Sequence, residues 1–298
     1  MARVAALFAV VLLVGAVALG GCVTALSGAG GQSTSAVGVP GGRGPAVPPD
    51  WELLEQQAAA TCPGLAWSVL AAIGRVESDS GRSTAPGVAS GQNSAGAEGP
   101  FQFEPATFAV YATVGPGGAV PPSPYDRVDA VYSAAKLLCA DGGGTAPGLA
   151  GAVNDYNHSA VYVDTVLVLA QALGEAPDLD VTVASALAFA AGQLGVPYLW
   201  GGTGQGGFDC SGLTQAAYGA AGVSLPRVAQ DQFDAGPLVT DATVSPGDLL
   251  FFGTSLGAIG HVGIYVGGGQ MIDAPHTGAL VRLEAAGWSD FVGATRPG

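Results

Sequence analysis

A cysteine, Cys210, stands in the stretch GFDCSGL at 207–213, directly before a segment with helical spacing of apolar residues. This position predicts a cysteine in the first turn of a helix, where the positive end of the helix dipole favours the nucleophilic thiolate. A free cysteine is more often a small buried residue than a nucleophile. Catalysis therefore requires a base and a group that orients the base.

Two histidines can supply the base, because His158 lies in the preceding segment and leaves His261 and His276. His261 opens a predicted strand, and its ring should point to the polar side because the other face is apolar. That apolar face consists of Val262, Ile264 and Val266. The alternative for His261 is a solvated residue at a strand end.

The three glycines at 267–269 decide which group lies beside His261. If all three form the loop of a hairpin, Asp273 lies diagonally adjacent to His261 on the same face. If only the last two form the loop, Asp273 turns to the opposite face and His276 comes opposite His261. The residues alone leave both registers open.

Three stretches of this half are GVPYLWGGTGQGGFDCSGLTQAAY, PGDLLFF and HVGIYVGGGQMIDAP, and together they resemble the NlpC-type cell-wall cysteine peptidases. These papain-like enzymes cleave the stem peptides of peptidoglycan. The resemblance spans about residues 185 to 296 and implies Cys210 as nucleophile, His261 as base and Asp273 as orienting group. The family often has histidine at the third position, but a carboxylate can also accept the ring N–H and stabilise the imidazolium.

The same resemblance implies that Tyr198, Asp209 and Ser211 shape the substrate pocket. His276 is expected at the rim of the cleft, with a plain loop residue as the alternative. Arg227 is expected to be a surface residue at a helix start rather than a substrate contact. The run GGTGQGG lacks the preceding strand and following helix of a dinucleotide site.

A second candidate for chemistry is Glu77, which follows a predicted buried helix. The negative end of that helix and the apolar residues around it should both raise the pKa of the carboxyl group. A raised pKa suits a general acid that protonates a glycosidic oxygen near neutral pH. The alternative is a solvated glutamate at a helix end.

Four stretches around Glu77 resemble, in this order, the lytic transglycosylase and lysozyme-like superfamily. They are LAAIGRVESDSGRS, GAEGPFQFEPATFAVYA, YDRVDAVYSAAKLLCADGG and AVNDYNHSAVYVDTVLVLAQAL. The resemblance is closest to the branch that includes membrane-bound lytic transglycosylase B, and it covers most of residues 60 to 173. It implies a helical domain with a sugar-binding cleft, Glu77 as the catalytic acid, and Gln102, Tyr156 and Asn157 in the cleft.

One departure from that pattern is Glu98, which stands where the family commonly has an apolar residue. Glu98 is either a solvated loop residue or a second carboxylate that helps to activate water, as in ordinary glycosidases. We favour a single acid, because in a lytic transglycosylase the hydroxyl of the substrate itself closes onto the anomeric carbon. Asp79 is a weak candidate for a partner, since residues two apart on a helix do not face each other.

Composition and the first residues predict the location of the protein. The 298 residues carry a formal charge of −14 and offer no basic patch, which argues against nucleic-acid binding. Residues 1–26 are predicted to be a signal peptide, a lipoprotein signal or a membrane anchor, because an uncharged apolar stretch follows Arg3. The end of this stretch, LGGC, resembles a bacterial lipobox with Cys22 as the lipidated residue. Residues 27–49 are predicted to be a flexible linker.

The predicted fold has two domains after this segment. A mainly α, lysozyme-like domain at 50–175 is followed by a connector at 176–182 and an α+β, papain-like (NlpC-type) domain at 183–298. Cys62 and Cys139 both lie in the first domain and should pair in an oxidising compartment, with two free buried thiols as the alternative.

The predicted function is a bifunctional peptidoglycan hydrolase at the cell envelope. It would cut the MurNAc–GlcNAc bond of the glycan strand and the stem peptide after γ-D-glutamate, and it would need no metal or organic cofactor. Its expected partners are peptidoglycan, the membrane and a conjugation or secretion apparatus. The alternatives are a wall-binding protein in which only the cysteine peptidase is active, and a papain-like amidase or acyltransferase.

Overall fold

The computed structural model describes residues 46–176, 178–239 and 244–298. The predicted signal or anchor at 1–26, the lipidation at Cys22 and nearly all of the predicted linker at 27–49 lie outside the described residues. Within the described ranges, no helix has both the length and the apolar character that crossing a membrane requires.

The N-terminal half is helical. Its helices are α1 (Pro49–Ala59), α2 (Trp67–Ser78), α3 (Pro105–Tyr111), α4 (Arg127–Ala140), α5 (Ala146–Asn157) and α6 (Ala160–Glu175). Helix α2 packs against α1 and α6, and α4 packs against α1 and α5. The predicted disulfide between Cys62 and Cys139 is confirmed and joins the end of the α1 segment to the last turn of α4.

Local sequence signals explain the ends of several of these helices. The hydroxyl of Ser159 accepts a hydrogen bond from the Tyr162 N–H and caps α6, and Pro105 begins α3. One expectation about a helix end is wrong. Helix α2 continues to Ser78, so Glu77 lies inside its last turn rather than after it.

The C-terminal half is α+β. It contains α7 (Val181–Ala191), β1 (Thr203–Gly204), β2 (Gly207–Phe208), α8 (Cys210–Ala220), α9 (Ala229–Ala235), β3 (Leu238–Val239), β4 (Leu249–Ser255), β5 (Ala258–Gly267), β6 (Gln270–Asp273), β7 (Arg282–Ala285) and β8 (Phe291–Thr295). The main sheet is antiparallel in the order β3-β8-β4-β5-β6-β7. Helix α8 packs against β5 and α7, which places Cys210 beside the central strand.

The hairpin between β5 and β6 combines the two registers that the sequence left open. Its turn is the short one, because Gly267 pairs with Gln270 across Gly268 and Gly269. A bulge at Val266 then shifts the ladder by one residue, so Tyr265 pairs with Met271 and Ile264 with Ile272. This register brings Asp273 opposite Gly263, where a Cβ on the glycine would lie 3.3 Å from Asp273 Cβ.

The expectation that a two-residue loop turns Asp273 away from His261 is therefore wrong. Because the bulge absorbs the extra residue, Asp273 stays on the face of the sheet that carries His261.

One continuous apolar core joins the two halves among the described residues. Helix α6 packs against both α7 and β5, and its buried Leu169 and Leu173 belong to the same cluster as Leu187 of α7. Helix α7 begins at Val181, capped by Asp180, within the stretch 176–182 that the sequence suggests as a connector. The helical half thus packs against the α+β half.

Candidate active sites

Cys210 is the first residue of α8, as the sequence predicts. The Asp209 side chain caps the helix by accepting a hydrogen bond of 2.7 Å from the Gly212 N–H. Gly212 is required there, because a Cβ would lie 2.0 Å from the carbonyl oxygen of Gly202. Cys210 is half-buried, and it is the free cysteine among the residues that the structure describes. Its sulfur therefore lies at the positive end of a helix and takes part in no disulfide.

His261 lies on β5 with its ring held by Asp273. Its Nε2 is 2.8 Å from Asp273 Oδ2, which leaves Nδ1 as the ring nitrogen for the Cys210 thiol. Burial lowers the pKa of His261, but hydrogen bonds to Asp273 and Cys210 outweigh burial and raise it to about 9. At neutral pH the ring is therefore an imidazolium between a carboxylate and a sulfur, an arrangement that stabilises negative charge on sulfur.

Two aromatic rings fix the plane of the His261 imidazole. Trp288 stacks on it with the ring centroids 4.9 Å apart and an interplanar angle of 15°. Phe252 lies on it at a tilt, with the centroids 5.9 Å apart. Trp288 could not be recognised from the sequence, because it follows β7 in a short loop with no periodic pattern.

Asp273 is fully buried and directly opposite Arg282 of β7. Its Oδ1 has no hydrogen-bond donor within the described structure, but Arg282 Nε lies 3.7 Å away. That cation partly offsets the cost of burying the carboxylate. Arg282 could be found only from the pairing register of β6 and β7, which the sequence does not specify.

Arg227 is not the plain surface residue that the sequence suggested. Its two terminal nitrogens donate to the Asp209 carboxylate at 2.9 and 2.6 Å, and Nη1 also donates to Ser211 Oγ at 3.1 Å. The Asp209 hydrogen bond raises the pKa of Arg227, although burial opposes it. Asp209 and Ser211, the neighbours of Cys210 in sequence, are thus both bound to one guanidinium.

Tyr198 belongs to the same cluster. Burial raises the pKa of its phenol, and the nearby negative charges of Cys210 and Asp209 add to this effect, while Arg227 lowers it. The three residues predicted to shape the substrate pocket are Tyr198, Asp209 and Ser211, and the structure places all three around Cys210. His276, in contrast, lies exposed in the loop after β6, with Nδ1 3.1 Å from the carbonyl oxygen of Thr277.

The second candidate site surrounds Glu77 in the last turn of α2. Glu77 Oε1 accepts a hydrogen bond of 2.7 Å from the Tyr162 hydroxyl. Burial raises the pKa of Glu77 to about 7, and the Tyr162 hydrogen bond lowers it by less. A carboxyl group with this pKa can carry a proton at neutral pH and donate it to a leaving oxygen.

The structure brings the predicted cleft residues together. Glu77, Gln102, Tyr156 and Asn157 line one cavity. Gln102, with a φ of 47°, donates its side-chain amide to Gly99 O at 2.7 Å, and the Tyr156 hydroxyl donates to Phe101 O at 2.7 Å. These contacts fix both side chains in the wall of the cavity.

The two other carboxylates considered near Glu77 are engaged elsewhere. Glu98 accepts a hydrogen bond of 3.0 Å from Gln92 and is not among the residues that line the cavity. Asp79 forms ion pairs with Arg75 and Arg82. The other carboxylates that line the cavity are Glu104 and Asp155, which the sequence analysis did not single out.

Residues 195–293 match the model of the NlpC/P60 family. The chain is 50% identical over 92 residues to the gamma-D-glutamyl-L-lysine dipeptidyl-peptidase of Bacillus subtilis, covering 30% of this chain and 31% of the relative. It is 44% identical over 102 residues to the bifunctional muramidase/DL-endopeptidase CwlT of the same organism, covering 33% and 31%. It is 40% identical over 119 residues to the peptidoglycan endopeptidase RipB of Mycobacterium tuberculosis, covering 35% and 48%.

The chain spans less than half the length of each of these curated relatives. The family model covers a segment that begins just after α7 and ends within β8, and this segment contains Cys210, His261 and Asp273. The C-terminal part of this chain is therefore a papain-like domain of the NlpC/P60 family.

Proposed function

We propose that this protein is a peptidoglycan endopeptidase that hydrolyses the stem peptide between γ-D-glutamate and the following diamino acid. The observation that carries the proposal is the 2.8 Å contact of His261 Nε2 with Asp273, behind a free cysteine at the start of α8. The names of the relatives support the choice of bond, since one acts on γ-D-glutamyl-L-lysine and another is a DL-endopeptidase.

Peptide cleavage would proceed in two steps. The Cys210 sulfur attacks the γ-carbonyl carbon of the glutamyl residue, and the positive end of α8 stabilises the developing charge. His261 donates its Nδ1 proton to the leaving amine, which departs and leaves a thioester on Cys210. His261, now neutral, takes a proton from water, and the resulting hydroxide attack breaks the thioester, releases the glutamyl acid and restores the thiolate–imidazolium pair. Asp273 holds the ring in position throughout.

We propose a second activity at Glu77, cleavage of the MurNAc–GlcNAc bond. Support comes from a carboxyl group with a pKa of about 7, held by Tyr162 in a cavity lined by amide and phenol groups. One relative is named as a muramidase as well as an endopeptidase, although that match covers 33% of this chain. We propose a single-acid, lytic transglycosylase course, in which Glu98 and Asp79 are bound to other side chains and the cavity carboxylates Glu104 and Asp155 take no part in the chemistry.

We also propose a location outside the cytoplasm. The substrate is there, and the Cys62–Cys139 disulfide fits an oxidising compartment. Anchoring through residues 1–26 and a role in a conjugation or secretion apparatus stay predictions from the sequence.

Digestion of purified peptidoglycan by the full chain, read by mass spectrometry, tests both activities. We expect fragments that end in Ala-γ-Glu from peptide cleavage, and anhydro-muramyl ends from the glycan. Cys210→Ala should abolish only the first product and Glu77→Gln only the second. Full peptide cleavage by Cys210→Ala would refute the peptidase site. Reducing ends instead of anhydro ends would mean a muramidase.

A further inference from the structure

A second cavity, of about 400 Å³, lies on the other side of Glu77. It shares Glu77, Gln102 and Asn157 with the first cavity, so the two form one groove across the carboxyl group. The far wall of this groove does not belong to the helical half. It is made by Ser185, Ala188 and Phe189 of α7, and by Gln193 just after that helix.

We propose that this wall is a glycan subsite, in which an N-acetylhexosamine ring next to the scissile bond lies against α7. The proposal rests on the proposed glycan cleavage at Glu77 and adds binding residues from the C-terminal half. A glycan strand that enters the Glu77 cavity must continue past the carboxyl group. Because the two cavities share lining residues, the strand would continue into this groove.

The chemistry of the groove suits a neutral, amphipathic ring. Val161 and Ala188 offer apolar surface for ring C–H groups and an acetyl methyl, and Phe189 adds an aromatic ring. Asn157 and Gln193 offer amides to hydroxyl and acetamido groups. A few polar groups in a mostly apolar wall are typical of a small-molecule site.

The subsite is preformed, because hydrogen bonds join α2 to α7 beside Glu77. Arg75 Nη2 donates to Ser185 Oγ at 2.9 Å and to Val181 O at 3.4 Å, and Nη1 pairs with Asp79. Burial lowers the pKa of Arg75 to about 10, which leaves it charged at neutral pH. The carboxylate of Asp79 is neutralised by this pair, so Glu77 is the acidic group without an ion pair among the residues that line this second cavity.

Phe189 is held at a fixed angle by a contact outside the groove. Its ring packs edge-on against Phe208, with centroids 6.4 Å apart, and Phe208 is two residues before Cys210. Substituting Phe189 would therefore disturb both sites. Ala188 and Gln193 allow a cleaner test of the groove.

The test measures binding of tri-N-acetylchitotriose and of peptide-free glycan strands to the full chain carrying Glu77→Gln, which prevents turnover. In that background we expect Ala188→Trp, which fills the groove, to weaken binding at least about tenfold, and Gln193→Ala to weaken it several-fold. Ala220→Trp is the matched control, because Ala220 is exposed at the end of α8 and lines neither cavity. It should bind like the parent.

Two outcomes would refute the subsite. Circular dichroism and thermal unfolding establish that each variant folds, and if Ala188→Trp does not fold, Gln193→Ala decides. If the parent binds glycan and both groove variants bind as tightly as Ala220→Trp, the α7 subsite is refuted while the Glu77 site stands. If the parent binds neither probe, the glycan activity at Glu77 is refuted, and the subsite with it.

Discussion

Glu175, the last residue of α6, accepts a hydrogen bond of 2.6 Å from the backbone N–H of Gly268 in the turn between β5 and β6. One helical turn earlier, Gln171 Nε2 donates to the carbonyl oxygen of Gly267 at 2.5 Å. The helical half therefore holds the turn that leads through β6 to Asp273. This contact gives the helical half a direct effect on the geometry of the peptidase site.

Removing both contacts, in Gln171→Ala/Glu175→Ala, should lower kcat for a soluble stem peptide by several-fold with little change in KM. Each hydrogen bond contributes about 1 kcal/mol, and 1–2 kcal/mol corresponds to a factor of about 5 to 30 in the population of the aligned turn. Gln57→Ala, at an exposed position of α1, is the control and should leave kcat unchanged. An unchanged kcat in the double variant would show that the sheet alone fixes Asp273.

Asp273→Asn should lower the pKa of His261 from about 9, because the carboxylate raises it against the effect of burial. The imidazolium is the proton donor to the leaving amine, so the basic limb of the kcat/KM profile should move to lower pH in the variant. A pH–rate profile and an NMR titration of the imidazole measure the two shifts. If the basic limb stays near pH 9 in the variant, that limb does not arise from the titration of His261.

The raised pKa of His261 also predicts how the free energy of unfolding depends on pH. A folded-state pKa of about 9, above the reference of 6.5, stabilises the protein below pH 6.5, and this contribution is lost as the pH rises through about 9. The free energy of unfolding should therefore fall between these pH values. His261→Gln should reduce that fall, as measured by denaturant titrations across the range.

Tyr162→Phe should raise the pKa of Glu77 further above about 7, because its hydrogen bond lowers that pKa against the effect of burial. A general acid with a higher pKa stays protonated at higher pH, so the basic limb of glycan cleavage should move to higher pH. The measurement is release of soluble glycan fragments against pH, with Cys210→Ala as the background. A shift to lower pH would contradict the assigned role of Glu77.

Glu77→Gln should make the protein more stable at pH 8 than the parent. The pKa of Glu77 is raised from 4.5 to about 7 in the folded protein, so the free energy of unfolding of the parent falls as the pH rises through that interval. At 1.36 kcal/mol per pH unit, the fall is about 3 kcal/mol. The difference should vanish at pH 4, where both states of the parent hold the proton. Denaturant unfolding at the two pH values measures it.

Cys62→Ser/Cys139→Ser should lower the free energy of unfolding by about 4 kcal/mol, because the bond closes a loop with a sequence separation of 77 residues. A reducing agent should reproduce this loss in the parent and have no effect on the double variant. Cys210→Ser is the control, since Cys210 forms no disulfide.

Features set by neighbouring residues could be predicted from the sequence. The position of Cys210 at a helix start follows from Asp209 and the apolar spacing that comes after it, and the cap of α6 follows from Ser159. Cys62 and Cys139 could be paired because Cys22 lies in the predicted signal or anchor segment and Cys210 was the candidate nucleophile. In these cases few alternative structures or pairings are possible, so the residue pattern and the composition are enough to predict the feature.

Features set by distant parts of the chain could not be predicted. The bulge at Val266, the pairing of Arg282 with Asp273 and the stacking of Trp288 on His261 all depend on strand register and on loops that return to the sheet. The bonds from Arg227 to Asp209 join residues 18 positions apart, with α8 and the loop after it between them. None of these contacts leaves a periodic signal in the sequence.

The bulge at Val266 also determines which changes of length the hairpin can accept. In a regular ladder, removing one residue inverts every later side chain, because orientation follows the parity of the count. Here Val266 is the unpaired residue, so its deletion would still leave Gly267 paired with Gln270 and Tyr265 with Met271. The His261–Asp273 pair would survive a deletion at this position, whereas a deletion at Ile264 or Ile272 would turn the two side chains to opposite faces.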